Sequence, residues 1–142
     1  MLHVYTLTRE ALEQNLAQIM ALSADVSPWR EEQFRVDLPE KWRLSFYIVD
    51  SAPVGYAVLS RRGENWIHLH QFMVGPAARG QGVGARMLDE VKARCTAQRA
   101  CLSLKVAADD EAAQRFYRRE GLKPGKFERG YLWMHWDGNL GR

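Results

Sequence analysis

Two stretches of this 142-residue sequence carry side chains and spacings that could do chemistry. The first is Val74-Gly75-Pro76-Ala77-Ala78-Arg79-Gly80-Gln81-Gly82-Val83-Gly84, which joins a β-forming run to an amphipathic one. Glycine lets a backbone adopt positive φ and approach a ligand closely. The first turn of a following helix offers unpaired N–H groups and the positive end of its dipole. Together they can cradle a phosphate or diphosphate, with Arg79 adding positive charge at the mouth. A Walker-type loop ends in Gly-Lys-Ser/Thr, whereas this run ends Gly84-Ala85-Arg86. A dinucleotide fingerprint needs GxGxxG and an acid about 20 residues on. Here the spacing is GxGxG, and Ala100 to Lys105 contains no acid. Both nucleotide readings are weak, and a ligand-free turn would spend conformational entropy on three glycines without a packing return.

The second stretch is His68-Leu69-His70. Strand alternation places Trp66, His68, His70, Phe72 and Val74 on one face. The two imidazoles then stand about 7 Å apart, close enough to share a water. A zinc site needs a third and usually a fourth ligand. The remaining histidines, His3 and His135, lack ligand spacing, so no metal is expected. Hydrogen-bonded structural histidines are the plainer alternative.

The elements that must position these groups follow from periodicity and turn chemistry. His3 to Leu7 reads as a strand. Thr8 caps a helix from Arg9 to about Leu22, with Leu12, Leu16 and Ile19 on its apolar side. Ser27-Pro28 signals a short second helix that stops before Pro39. Strands over Leu44 to Asp50, Val54 to Ser60 and Trp66 to Val74, with short turns between them, predict an antiparallel meander. The glycine run then opens a helix carrying Met87, Leu88, Val91 and Cys95. A strand over Cys101 to Val106 follows. Asp109 or Asp110 caps a helix with Ala113, Phe116 and Tyr117 inward, and Gly121 stops it. Tyr131 to Trp136 is read as the last strand. The expected fold is a single α/β (α+β) domain over residues 1–142, three layers deep, with helices on both sides of a mixed, mostly antiparallel sheet.

Composition bounds the rest. Hydrophobic residues make 46% and charged residues 26% of the chain, which excludes disordered and fibrous classes. No apolar run approaches the roughly 18 residues of a membrane span, and the N-terminus lacks a signal-peptide pattern. Cys95 and Cys101 form no CxxC pair and read as free thiols in a reducing cytoplasm. The net charge of +3 suits an anionic small molecule as well as nucleic acid. No RNA-binding signature accompanies it, so no nucleic-acid partner is expected. Arg115 to Arg129 holds six basic and two acidic residues, a solvated face or an attraction for ligand phosphates. Arg86 could serve the same end. Trp29, Phe34 and Trp42 either pack a core or line a pocket for an aromatic or apolar amine, with Asp25, Glu31 or Glu32 to meet its charge.

The run Arg79-Gly80-Gln81-Gly82-Val83-Gly84 resembles the R/Q-G-x-G-x-G/A motif of the GNAT-type N-acetyltransferases (the Gcn5-related superfamily), in which the loop amides hold the diphosphate of acetyl-CoA. Downstream, Ala113-x-x-Phe116-Tyr117-x-x-x-Gly121-Leu122 is similar to the family's N-x-x-A-x-x-F-Y-x-x-x-G-F helix, with Asp110 where the family often carries a cofactor-contacting Asn. The matching motifs span Trp66 to Leu122. The His-x-His spacing is similar to the arylalkylamine N-acetyltransferase branch, where two histidines relay the amine proton through water.

The resemblance implies acetyl-CoA as co-substrate and direct attack by a primary amine. An alkylammonium has a pKa near 10.4, so a base must take its proton. The implied base is His70 with His68 through water, since neutral imidazole accepts a proton near pH 7. The main-chain N–H at Phe72 is the implied oxyanion donor, and Tyr117 the implied acid for the leaving thiolate. Phe72, Met73 and Val74 would pair with the pantetheine amides like an added strand. Arg79, Gly80, Gln81, Gly82, Val83 and Gly84, with Asp110, complete the implied cofactor contacts. The expected acceptor is a small-molecule amine, with no membrane partner, and the family also allows a homodimer. A protein N-terminus or lysine, a non-catalytic acyl-CoA-binding module and a nucleotide-binding regulator are the competing readings.

Overall fold

The computed structural model describes residues 1–26 and 28–138. The chain runs β1 (His3–Thr6), α1 (Arg9–Leu22), α2 (Glu31–Arg35), α3 (Lys41–Leu44), β2 (Phe46–Asp50), β3 (Ala52–Arg61) and β4 (Trp66–Val74). A single 3-10 turn at Pro76–Ala78 precedes α4 (Val83–Ala97), β5 (Cys101–Ala107), α5 (Glu111–Arg119), β6 (Lys123–Glu128) and β7 (Tyr131–Trp136). The sheet order is β1-β2-β3-β4-β5-β7-β6. Among the described residues β4 and β5 form its parallel pair, and the other neighbours are antiparallel.

Local chemistry sets the ends of these elements. Thr8 accepts from the Ala11 N–H, as its cap role requires. Asp110 Oδ1 accepts from the Ala113 N–H and starts α5. Gly121 (φ 96°) stops that helix, and the Leu122 N–H returns to the Tyr117 carbonyl. The sheet divides two cores. On one face α4 and α5 cover a core that includes Ile48, Ala57, Leu59, Ile67, Met87, Leu88 and Leu104. On the other, α1 and α2 cover Tyr56, Val58, Leu12, Ile19 and Phe34. α4 packs closely on the sheet at Gly55, where a Cβ would stand 2.6 Å from Met87 Sδ and 2.9 Å from the Met73 carbonyl.

Several expected boundaries move. Leu44 belongs to α3, not to a strand, and β2 begins at Phe46. Lys41 explains this helix: its ammonium is buried and donates to the Phe34 and Val36 carbonyls at 2.5 and 2.6 Å, tying off the end of α2. Burial lowers its pKa to about 8. The short second helix begins at Glu31 behind Arg30, three residues beyond Pro28. Ser27, its expected cap, lies outside the described residues. β6 escapes a periodicity reading because it is an exposed edge strand containing Pro124 and Gly125. Edges are where a sheet tolerates proline.

The largest departure lies in β4. Val58 pairs with Gln71 and Leu59 with Leu69, so His70 is an extra, bulged residue. The bulge reverses the alternation. Ile67 and Leu69 face the α4 core before it, and Phe72 and Val74 face the same side after it. His68 and His70 instead share the opposite face with Ser60. The expected single face from Trp66 to Val74 is therefore corrected to two half-faces.

Candidate active site

β4 and β5 pair only from Trp66↔Cys101 to His68↔Ser103. Beyond His68 the two strands part, and a cavity of 660 Å³ fills the split. His68, His70 and Phe72 of β4 line it, as do Lys105 of β5, Tyr117 of α5 and Trp133 of β7. Every expected catalytic residue thus reaches one space. The backbone of the split strand is directional. Gly75 N–H donates to the Val54 carbonyl at 2.8 Å, in register with Val74↔Gly55, Met73↔Tyr56 and Phe72↔Ala57. Antiparallel alternation then turns the Met73 backbone toward β3 and the Phe72 and Val74 backbones toward the gap. Of the three residues expected to pair with a pantetheine chain, Met73 has its N–H and C=O committed within the sheet. Met73 still lines the cavity, and it also packs in the core under α1. The Val74 carbonyl already accepts from Arg79 Nε at 2.9 Å.

The histidine rings are closer than strand spacing predicts. Their centroids lie 4.7 Å apart, nearly edge to face, because the bulge brings His70 toward His68. His70 Nε2 is 2.7 Å from Ser60 Oγ, and His68 Nδ1 is 2.9 Å from Ser103 Oγ. Burial, followed by the charges of His70, Arg62 and Lys105, pushes the His68 pKa down to about 3. Burial, followed by Arg62 and Lys41, lowers His70 to about 4. Both rings are neutral at pH 7, but they are weaker bases than free histidine. The Tyr117 phenol moves the other way. Burial and, secondarily, the Asp110 carboxylate raise it, so it holds its proton at neutral pH. Its ring packs against Phe72 and Phe116.

A second hollow of 270 Å³ adjoins the glycine run, lined by Val74, Arg79, Gly80, Gly82, Val83, Gly84, Phe116 and Arg119 among others. Gly82 (φ 79°) precedes α4 in the left-handed region, where a side chain is strained. No side chain caps α4 and its first turn holds no acid. The earliest α4 bond runs from the Arg86 N–H to the Gly82 carbonyl. The N–H groups of Val83, Gly84 and Ala85 therefore have no helical partner. A diphosphate fits this donor set.

The expected charges are distributed differently. The Arg79 guanidinium is paired with Asp25 at 2.8 and 3.1 Å, and Gln81 donates to the Ala77 carbonyl. Asp110 is occupied at least in part as the α5 cap. Glu31 pairs with Arg35 and Glu32 with Arg30, so neither they nor Asp25 line the cavity. Of the aromatic trio only Trp29 reaches it. Phe34 is core, and Trp42 stacks beneath Arg9 and Lys41. Sequence reasoning missed Arg62, Lys105 and Trp133, and reached Arg119 only as one of the six basic residues between Arg115 and Arg129. Period-two alternation from Ser103 could have found Lys105, whereas Arg62 sits in a turn that carries no pattern.

Among the described residues no helix is long and apolar enough to cross a membrane, and no cluster of three or more His, Cys, Asp or Glu is placed to hold a metal. Cys95 and Cys101 are buried and free.

The chain is 33% identical over 58 residues to the blasticidin-S acetyltransferase of Streptomyces morookaense, a match that covers 41% of this chain and 43% of that protein. The chain thus matches less than half the length of that curated relative. Its fold is similar to that of the ribosomal-protein-S18-alanine N-acetyltransferase of Escherichia coli (TM-score 0.80, 20% identity, 96% of this chain and 93% of that one). It is also similar to that of Ard1 from Thermoplasma volcanium (TM-score 0.79, 18% identity, 95% of each chain). These two likenesses are of fold. The acetyltransferase (GNAT) family model matches residues 7–122, from the end of β1 to the close of α5. Both the glycine run and the split between β4 and β5 fall inside that span, and the chain belongs to the acetyltransferase (GNAT) family.

Proposed function

We propose that this protein transfers the acetyl group of acetyl-CoA to the primary amine of a small molecule. The observation that carries the reading is the 660 Å³ cavity in the split sheet, with the histidine pair on one wall, Tyr117 on another and the aromatic rings of Trp29, Tyr131 and Trp133 around it. The relative named for blasticidin-S points toward a small acceptor.

Acetyl-CoA supplies an activated thioester. The α4 N-terminus and the Gly80–Gly84 backbone hold its diphosphate, and Arg119 adds charge beside them. Met73, Gln81 and Asp110 act mainly as structure: a strand bond, a loop tie and a helix cap. The Phe72 N–H faces the gap and serves the developing oxyanion. Loss of such a donor costs about 2.7–4 kcal/mol in other enzymes. The neutral His70, oriented by Ser60 and backed by His68 and Ser103, takes the amine proton through water. The amine nitrogen bonds to the carbonyl carbon as the C–S bond breaks, and Tyr117 protonates the departing sulfur. Two buried free thiols fit work in a reducing cytoplasm.

A second reading, acetylation of a peptide, is favoured by a 510 Å³ groove over Trp66, Ser103, Trp133 and His135 beside the last strand. A thiol-release screen with acetyl-CoA against small amines, amino acids, polyamines and peptides separates them. Release with small amines or amino acids is expected. Release with peptides alone would establish the second reading, and acetyl-CoA binding without release from any amine would leave an acyl-CoA-binding module.

A further inference from the structure

Arg62 and Lys105 are the cavity's cations, and neither has an ion-pair partner among the described residues. Arg9, Arg35, Arg43, Arg61 and Arg79 are all paired with carboxylates. The two free cations flank one ring: each stands 6.0 Å from the centre of Trp133. Lys105 also stands 4.7 Å from the ring of Tyr131. The ring of Trp133 is in turn 5.5 Å from His68. Two cations, an aromatic floor and the histidine pair thus share one wall.

That wall is remote from the diphosphate hollow. His68 and Val74 are six residues apart on β4, a span of about 20 Å of strand. The cations therefore face the acceptor end. A simple alkylammonium is charged at pH 7, and Arg62 with Lys105 would repel it. Of the acids that could have met an ammonium, Asp25, Glu31 and Glu32 are paired elsewhere, and Asp110, the carboxylate in the cavity lining, is engaged as the α5 cap through the Ala113 N–H.

We infer that Arg62 and Lys105 form an anion subsite over Trp133, and that the acceptor is an amine carrying a carboxylate, of the amino-acid type, rather than a plain amine or polyamine. The carboxylate meets the two cations, cancels the repulsion of the ammonium and leaves the amine beside His68 and His70. The inference deepens the acetyltransfer reading and names its substrate class.

The test measures anion binding apart from turnover. Phenylacetate and its uncharged counterpart 2-phenylethanol are titrated into the protein while the Trp133 indole N–H signal is followed by NMR. Phenylacetate is expected to shift that signal and to bind at least tenfold tighter than 2-phenylethanol. Arg62→Gln/Lys105→Gln is expected to abolish the preference, and Arg62→Lys to retain most of it. Equal affinities, no shift with millimolar phenylacetate, or an unchanged preference in the double variant overturns the subsite. In a parallel thiol-release assay, the kcat/KM ratio of phenylalanine to phenethylamine is expected to favour phenylalanine and to fall at least tenfold in the double variant. Absence of release from every amine would count against acetyltransfer, while the phenylacetate titration would still decide the anion subsite.

Discussion

The two ends of the cleft are built from different materials. At the glycine end the ligand-facing groups are backbone: N–H groups of α4, positive-φ glycines and a helix without a side-chain cap. Its one nearby Arg from the motif, Arg79, is neutralised by Asp25. At the histidine end the groups are side chains from separate elements: Arg62 from the β3–β4 turn, His70 from a bulge, Lys105 from β5 and Trp133 from β7. A backbone site serves a constant diphosphate, and a side-chain site can be altered residue by residue to change the acceptor.

Replacing Tyr117 by Phe tests whether the chemistry belongs to the side chains of the large cavity rather than to the backbone site. It should lower kcat by about 100-fold, the scale of general acid catalysis, and leave acetyl-CoA affinity within about twofold. Unchanged kcat removes the acid role.

The histidine pair should also appear as a pH-dependent stability term. Both rings have folded-state pKa values, about 3 and about 4, below the ordinary 6.5. The unfolded chain therefore binds more protons in this window. Stability is complete above about pH 6.5 and falls as pH drops toward 4, by about 2 kcal/mol per histidine at pH 5. Urea titrations at pH 7 and pH 5 should show a loss that His68→Gln/His70→Gln largely removes. The same values imply that neither imidazole gives the rate profile an inflection near 6.5.

At the glycine end, Gly82→Val should weaken acetyl-CoA binding by about tenfold or more in calorimetry. A β-branched residue at φ 79° is strained by about 1–3 kcal/mol, although no atom lies within 4 Å of the added Cβ. The smallest effect is expected from Asp25→Asn. It releases Arg79 from an exposed pair and should tighten acetyl-CoA binding by about twofold, because exposed pairs contribute little. A large loss would mean that the pair holds the loop in place.

The same division explains what was legible in the sequence. Glycine spacing, the Thr8 cap and the α5 stop are local signals, and the structure holds them where the sequence puts them. The histidine geometry was misread because one extra residue at a bulge changes every later face, and no residue type in His68-Leu69-His70 signals a bulge. α3 was missed because its cause is a buried Lys41 reaching carbonyls from another helix. The cationic wall was missed because its members meet only in three dimensions, across strands that are distant in sequence.

The most direct measurement follows the backbone amides by NMR as acetyl-CoA is added. Shifts centred on Gly80 to Ala85, with Phe72 and Val74 moving in step and Met73 moving least, are predicted. Saturable binding that leaves the α4 amides still, or moves Met73 more than Phe72, would contradict a diphosphate held at α4 and an acyl arm laid in the gap between β4 and β5.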